Sequence, residues 1–297
     1  MDMKSLSGSI VALVTPFTED GLVDFERFGQ LIDFQLENGT DALLVLGTTG
    51  ESSTMTHEED DEVCRFAVER VAGRVPVIAG SGSNCTQTML EKSISYERLG
   101  VDGLLLITPY YNKANEEGMY QHFVTVADAV NIPCILYNVP GRTGCSISEN
   151  LVKRLSVHPR IMGIKEASGN IAYASRIARY ISDDFVMFSG NDDIVLPMMS
   201  LGARGVISVW ANIMPAAVHE MTSAFMNGDI NRAREIQLNN LDVIAGLFSE
   251  VNPIPVKAAL EMMGMGEAHY RAPLAPMSKP AREVLYDALQ KAGVVCA

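Results

Sequence analysis

Short apolar runs ending in Gly, Thr, Ser or Asn alternate along this chain with longer stretches of helical periodicity. Eight such runs occur: SIVALVTP from 9, DALLVLG from 41, VPVIAG from 75, GLLLITP from 103, PCILYN from 133, IMGIK from 161, FVMFSG from 185 and GVISV from 205. Near-continuous apolar runs predict strands covered on both faces, hence a parallel sheet, and parallel neighbours need crossover helices. The intervening stretches supply them. Asp24 is placed to cap FERFGQLIDFQLEN, whose Phe25, Phe28, Leu31, Ile32 and Leu36 share a face before a stop at Gly39. Thr56 and Glu59 have capping-box spacing ahead of DEVCRFAVERVAG. The chain therefore reads as α/β. Eight βα units in roughly 210 residues fit a closed (β/α)8 TIM barrel better than an open doubly wound sheet, which more often has five or six strands. After MNGD at 226 to 229 the strand signals stop. INRAREIQLNNLDVIAGLF, PIPVKAALEMMGM and KPAREVLYDALQKAG predict three helices, dividing the chain into a barrel over 1–228 and a C-terminal helical domain over 229–297.

Composition narrows the partners. The 297 residues are 47% hydrophobic, enough for a large core, and carry a formal net charge of -13. Nucleic acids and anionic membranes are disfavoured, because both rely on Lys and Arg to displace counterions from phosphates. No apolar run approaches the length of a membrane span, and MDMKSLSGS has no signal-peptide core, so a soluble cytoplasmic protein is expected. Cysteines 64, 85, 134, 145 and 296 form no C-x-x-C pair and read as reduced thiols. The histidines at 57, 122, 158, 219 and 269 show no ligand spacing, and no metal site is expected.

In such barrels chemistry sits at the C-terminal strand ends, and here those ends are polar: GTTGES, TPYYN, YNVPGRTG, KEASGN and SGND. Lys165 closes the sixth run. It reads either as an amine whose pKa desolvation lowers, able to attack a carbonyl, or as a lysine snorkelling at a strand end. The other seven lysines lie in the N-terminal tail, in loops or on helical segments with solvated faces. Tyr137 offers a phenol to a proton relay on the neighbouring strand, or is a rim tyrosine with a satisfied hydroxyl. Thr48 and Thr49, in a Gly-bounded turn, present hydroxyls and N–H groups suited to a carboxylate, or merely cap a helix. Arg142 in the Pro-Gly turn either grips a carboxylate with two parallel bonds or is solvated. Tyr110 and Tyr111 should point in different directions, one toward the site and one toward an interface. GSGSNC at 80 to 85 fails as a dinucleotide fingerprint because Cys85 replaces the last glycine, and GTTGES lacks the P-loop lysine. The Met-rich segments LPMMS and LEMMGM read as core or subunit interface.

Together these strand ends closely resemble the dihydrodipicolinate synthase family, within the pyruvate-dependent N-acetylneuraminate lyase superfamily. GTTGES, TPYYNK, EGMYQHF, ILYNVPGRTG, GIKEASGN and GVISV occur in family order over nearly the whole chain. The resemblance implies that Lys165 forms a Schiff base with pyruvate while Thr49 and nearby N–H groups hold its carboxylate. It implies a relay of Tyr137, Thr48 and Tyr111, the last reaching into a neighbouring subunit's site, within a homotetramer built as a dimer of dimers. Ile207 would line the pyruvate pocket through its backbone, and Arg142 would bind the carboxylate of L-aspartate 4-semialdehyde. No metal or organic cofactor is implied.

Some members of the family are inhibited by lysine in a cleft between subunits, where Ser52, His57, Asn84 and Tyr110 match lining positions. Thr88 replaces the glutamate of sensitive members and Asp60 a histidine, so weak or absent inhibition is expected. Two rivals remain. A sister lyase would cleave N-acetylneuraminate or a 2-keto-3-deoxy sugar acid, against which Arg142 in GRTG argues. A non-catalytic barrel binding a keto acid or a protein would not need the relay.

Overall fold

The structure, a computed structural model, describes residues 3–295. Cys296 and the side chain of Lys4 lie outside the described residues. In chain order the barrel runs β1 (Gly8–Ala12), α1 (Phe25–Glu37), β2 (Ala42–Val45), α2 (His57–Val71), β3 (Val77–Gly80), α3 (Thr86–Leu99), β4 (Gly103–Ile107) and α4 (Glu116–Ala129). It continues through β5 (Cys134–Asn138), α5 (Pro140–Thr143), α6 (Glu149–Leu155), β6 (Ile161–Glu166), α7 (Ile171–Ile177), β7 (Val186–Ser189), α8 (Val195–Ser200), β8 (Gly205–Ser208) and α9 (Pro215–Met226). The strands close in sequential order, with β8 returning parallel to β1. The expected barrel is therefore present.

The unbroken apolar runs have a simple cause. Ile10, Leu44, Ile78, Ile135 and Phe188 fill the barrel interior. Val11, Leu43, Val77, Leu136 and Met187 point the other way, into the layer beneath the helices. Both faces of each strand are buried, as a barrel requires. The caps form as expected: Asp24 accepts from the Arg27 N–H at 2.9 Å, and Thr56 and Glu59 bond reciprocally at the start of α2.

One irregularity sets the site. On β6, Met162 has no register partner: Cys134 of β5 pairs with Ile161, and Ile135 already pairs with Gly163. This bulge shifts the alternation by one. Met162 faces the interior and Ile164 the helix layer, while Lys165 again faces inward. A Cβ on Gly163 would stand 2.4 Å from the Val186 carbonyl oxygen, so the close approach of β7 also demands glycine there.

The C-terminal segment departs from expectation in one respect. The run 230–248 is two helices, α10 (Ile230–Asn239) and α11 (Leu241–Leu247), so with α12 (Ile254–Met262) and α13 (Lys279–Lys291) there are four rather than three. The break falls at Asn240, whose side-chain amide donates to the Ile236 carbonyl at 2.8 Å, the kind of local bond by which Asn competes with helix continuation. α11 packs on the short turn after β7 and α12 on that after β8, which brings the extension to the mouth of the barrel.

Two of the lysines read as lying on solvated faces are covered, Lys257 fully and Lys92 in large part. Lys92 of α3 pairs with Asp60 of α2 at 2.8 Å, and Lys257 of α12 pairs with Glu51 at 2.6 Å. Each helix packs against a second element that covers the lysine, and a contacting carboxylate makes the burial tolerable.

Candidate active site

Lys165 lies at the C-terminal end of β6, level with Tyr137 on β5. Its ammonium sits 4.5 Å from the centre of the Tyr137 ring, and the residue is only 6% exposed. Among the described residues no carboxylate pairs with it. Burial lowers its pKa to about 8; Asp192 pulls the other way and Arg142 adds to the lowering. Gly190 leaves room for the amine's stem: a Cβ there would stand 3.1 Å from Lys165 Cε and 2.5 Å from Ala167 Cβ.

Thr48 and Thr49 sit in the turn after β2. Gly50 N–H donates to the Gly47 carbonyl at 3.0 Å and Glu51 N–H to the Thr48 carbonyl at 3.2 Å. Leu46 and Glu51, at either end, both hold φ of 55°, a left-handed backbone that non-glycine residues adopt at a cost. Burial raises the pKa of the Tyr137 phenol, and the neighbouring Thr48 hydroxyl opposes that rise. Thr49 Oγ1 accepts from Asn252 Nδ2 at 2.9 Å, and Arg142 Nη2 donates to the Asn252 carbonyl at 3.1 Å. Thr48, Thr49, Tyr137, Arg142, Lys165 and Asn252 together line a cavity of about 180 Å³.

The structure thus brings five candidates into one cavity. Ile207 is buried in the barrel interior with Tyr137 and is not on the cavity wall. Tyr111 stands apart: it is 92% exposed, at a φ of 68°, and is not on the wall of that cavity. Tyr110 instead lines an adjoining cleft of about 400 Å³, with Ser52, His57, Asp60, Thr88 and Lys92. Asn84 is not on that wall; its carbonyl accepts from Asn112 Nδ2 at 3.0 Å. Asn191, Phe248 and Asn252 line the smaller cavity without having been singled out in the sequence. For Asn191 the signal was its place in SGND after β7; the other two come from the C-terminal segment, where strand ends give no guide.

The model of the Dihydrodipicolinate synthetase family matches residues 5–292. The chain belongs to this family. A 4-hydroxy-tetrahydrodipicolinate synthase of Alkaliphilus oremlandii is 50% identical over 288 residues, covering 97% of this chain and 99% of the relative. The dihydrodipicolinate synthase of Aquifex aeolicus is 47% identical in its crystal structure, with a TM-score of 0.95 over 97% of this chain and 99% of that one. The chloride-inhibited dihydrodipicolinate synthase of Acinetobacter baumannii, solved in complex with pyruvate, is 40% identical with a TM-score of 0.96 over 98% of this chain and 100% of that one.

As in any member of the dihydrodipicolinate synthetase family, the question is what these groups can do together. A desolvated amine, a phenol beside a hydroxyl, a turn rich in N–H donors and a guanidinium suit carbonyl addition with proton transfer, on a substrate carrying carboxylates. Among the described residues no three His, Cys, Asp or Glu side chains gather where a metal ion could be held. No helix among them is long and apolar enough to cross a membrane.

Proposed function

We propose that Lys165 attacks the ketone carbon of pyruvate and carries it as an imine through the reaction. The activity is the family's: the chain condenses pyruvate with L-aspartate 4-semialdehyde to 4-hydroxy-tetrahydrodipicolinate, in lysine and diaminopimelate biosynthesis. The observation that carries the role of Lys165 is an unpaired amine, 6% exposed and with a pKa of about 8, at the catalytic end of the barrel.

Addition of the amine and loss of water give a protonated imine, an electron sink that lets a methyl proton of pyruvate leave. The resulting enamine carbon adds to the aldehyde, forming the new carbon–carbon bond. The amine of the second substrate then displaces Lys165 from the imine carbon and closes the ring. Every step moves a proton, and the Tyr137–Thr48 contact offers a path for it. Thr49 and the N–H groups of its turn hold the pyruvate carboxylate; Arg142, steadied by Asn252, takes the carboxylate of the semialdehyde. Tyr111 completes the relay in the site of a second copy of the chain. Its exposure and left-handed backbone support that reading, since strain of this kind persists where a residue must be presented in a set direction. The assembly is a homotetramer made of two such dimers, working in the cytoplasm without a cofactor. Ser52, His57 and Tyr110 border an effector cleft in which Lys92 already occupies Asp60.

The test is to incubate the protein with pyruvate, reduce with borohydride and locate the added mass. A single adduct on Lys165 is expected, and its absence would overturn the mechanism. Turnover with aspartate semialdehyde should far exceed turnover of N-acetylneuraminate; the reverse order would make the chain a sister lyase.

A further inference from the structure

Glu51 closes the turn that carries Thr48 and Thr49, and a residue two hundred positions away holds it there. Lys257 Nζ stands 2.6 Å from Glu51 Oε1, with Glu51 only 2% and Lys257 4% exposed. Lys257 also lies over the Phe17 ring at 4.4 Å and the Tyr270 ring at 5.4 Å. Beside it, Arg271 forks onto Glu59 and donates to the Thr54 and Gly21 carbonyls. The Glu51 backbone carbonyl accepts from both the N–H and the hydroxyl of Thr54 at 2.9 Å. The outer end of the turn is therefore fixed by both its backbone and its side chain.

A buried ion pair is a poor way to gain stability, since apolar residues of the same volume often do as well or better. What such a pair gives is geometry. An ammonium and a carboxylate at contact distance fix each other's position, and breaking either one leaves an uncompensated charge. Here the geometry is imposed on a left-handed residue, two positions after Thr49. The same stretch of chain supplies Asn252, bonded to Thr49 Oγ1 and, through its carbonyl, to Arg142.

We propose that the Glu51–Lys257 pair is a positioning device for the substrate-binding turn: α12 reaches into the barrel mouth and sets the Thr48–Thr49 hydroxyls and N–H groups where a keto-acid carboxylate is received. This rests on the assignment of Thr49 to that carboxylate under the proposed function. Neither Glu51 nor Lys257 touches substrate; both act through the turn.

The full-length double variant E51Q/K257M removes both charges and so leaves neither one stranded. Its KM for pyruvate should rise about tenfold while kcat changes less than about threefold and the KM for aspartate semialdehyde stays put, a split that a general loss of structure would not give. The pyruvate concentration giving half-maximal borohydride trapping on Lys165 should move by the same factor, at an unchanged melting temperature. E51D keeps both charges and only shortens the arm, so it serves if the double variant does not fold; it should raise the pyruvate KM by several-fold. Unchanged pyruvate dependence in the folded variant overturns the proposal. No adduct in the wild-type protein would overturn the proposed function and this inference with it, whereas a wild-type adduct with an unshifted variant overturns this inference alone.

Discussion

Two lysines are buried at the mouth of this barrel, and the structure treats them in opposite ways. Lys257 meets a carboxylate at 2.6 Å, while Lys165 meets an aromatic face and the edge of a cavity. Burial lowers the pKa of both, but Glu51 holds the proton on one, and nothing in contact does so for the other. The partner, not the burial, separates a structural ammonium from a reactive amine.

The largest effects should come from exchanging each lysine for methionine. K165M removes the proposed nucleophile, and activity should fall by about 10³-fold or more with no borohydride adduct. Its thermal stability should hold or rise, because the fold no longer shelters an unpaired ammonium. K257M should do the reverse to stability. It leaves Glu51 buried alone and should cost about 3–5 kcal/mol. Thermal melting of the two proteins side by side checks this, and a K165M protein melting below K257M would break the contrast.

The pH dependence sharpens it. Lys165, held at about 8 rather than the ordinary lysine value of 10.5, is about one-tenth neutral at pH 7, so imine trapping should climb through pH 8 and level off about one unit above. A rise centred at pH 10 would show an ordinary lysine. The stability effect has a definite sign. The folded pKa lies below the unfolded one, so the unfolded chain binds more protons between them, and Lys165 costs about 3 kcal/mol below pH 8 that is relieved as pH approaches 10.5. The gap between wild type and K165M should therefore narrow across that window. The K257M deficit should behave oppositely at the acid end. A stranded Glu51 has a raised pKa, so its penalty is absent below the ordinary carboxylate range and grows as pH rises through it.

The sequence made one of these lysines visible and hid the other, for a physical reason. Lys165 ends an apolar run, and neighbouring strands of a parallel barrel bring their ends together, so Tyr137 and Thr48 could be gathered from strand ends alone. That logic also yielded all eight strands. It did not foresee the β6 bulge, without which simple alternation from Met162 would turn Lys165 outward. Lys257 and Asn252 lie on the C-terminal segment, and their partners Glu51 and Thr49 are more than two hundred residues earlier. No local period encodes such a meeting. A trace of it was present all the same: PIPVKAAL is apolar on every side but for its lysine, which means burial, and that one cation then requires a buried acceptor.

Lys92 extends the comparison to the cleft beside Tyr110, the proposed effector site, and carries the smallest expected effect. It is paired like Lys257, with 11% of its side chain exposed and its ammonium 2.8 Å from Asp60. Burial alone would raise the Asp60 pKa, and Lys92 opposes that rise. An amino-acid effector entering this cleft would bring a second ammonium to a place where the available carboxylate is taken and Thr88 offers only a hydroxyl. L-lysine at about 1 mM should therefore slow the initial rate by less than about twofold, whereas half-inhibition below that concentration would show that the internal pair does not shield the cleft. In K92M the Asp60 carboxylate is freed while the catalytic cavity is untouched, so the half-inhibitory lysine concentration should fall by a few-fold in an initial-rate titration.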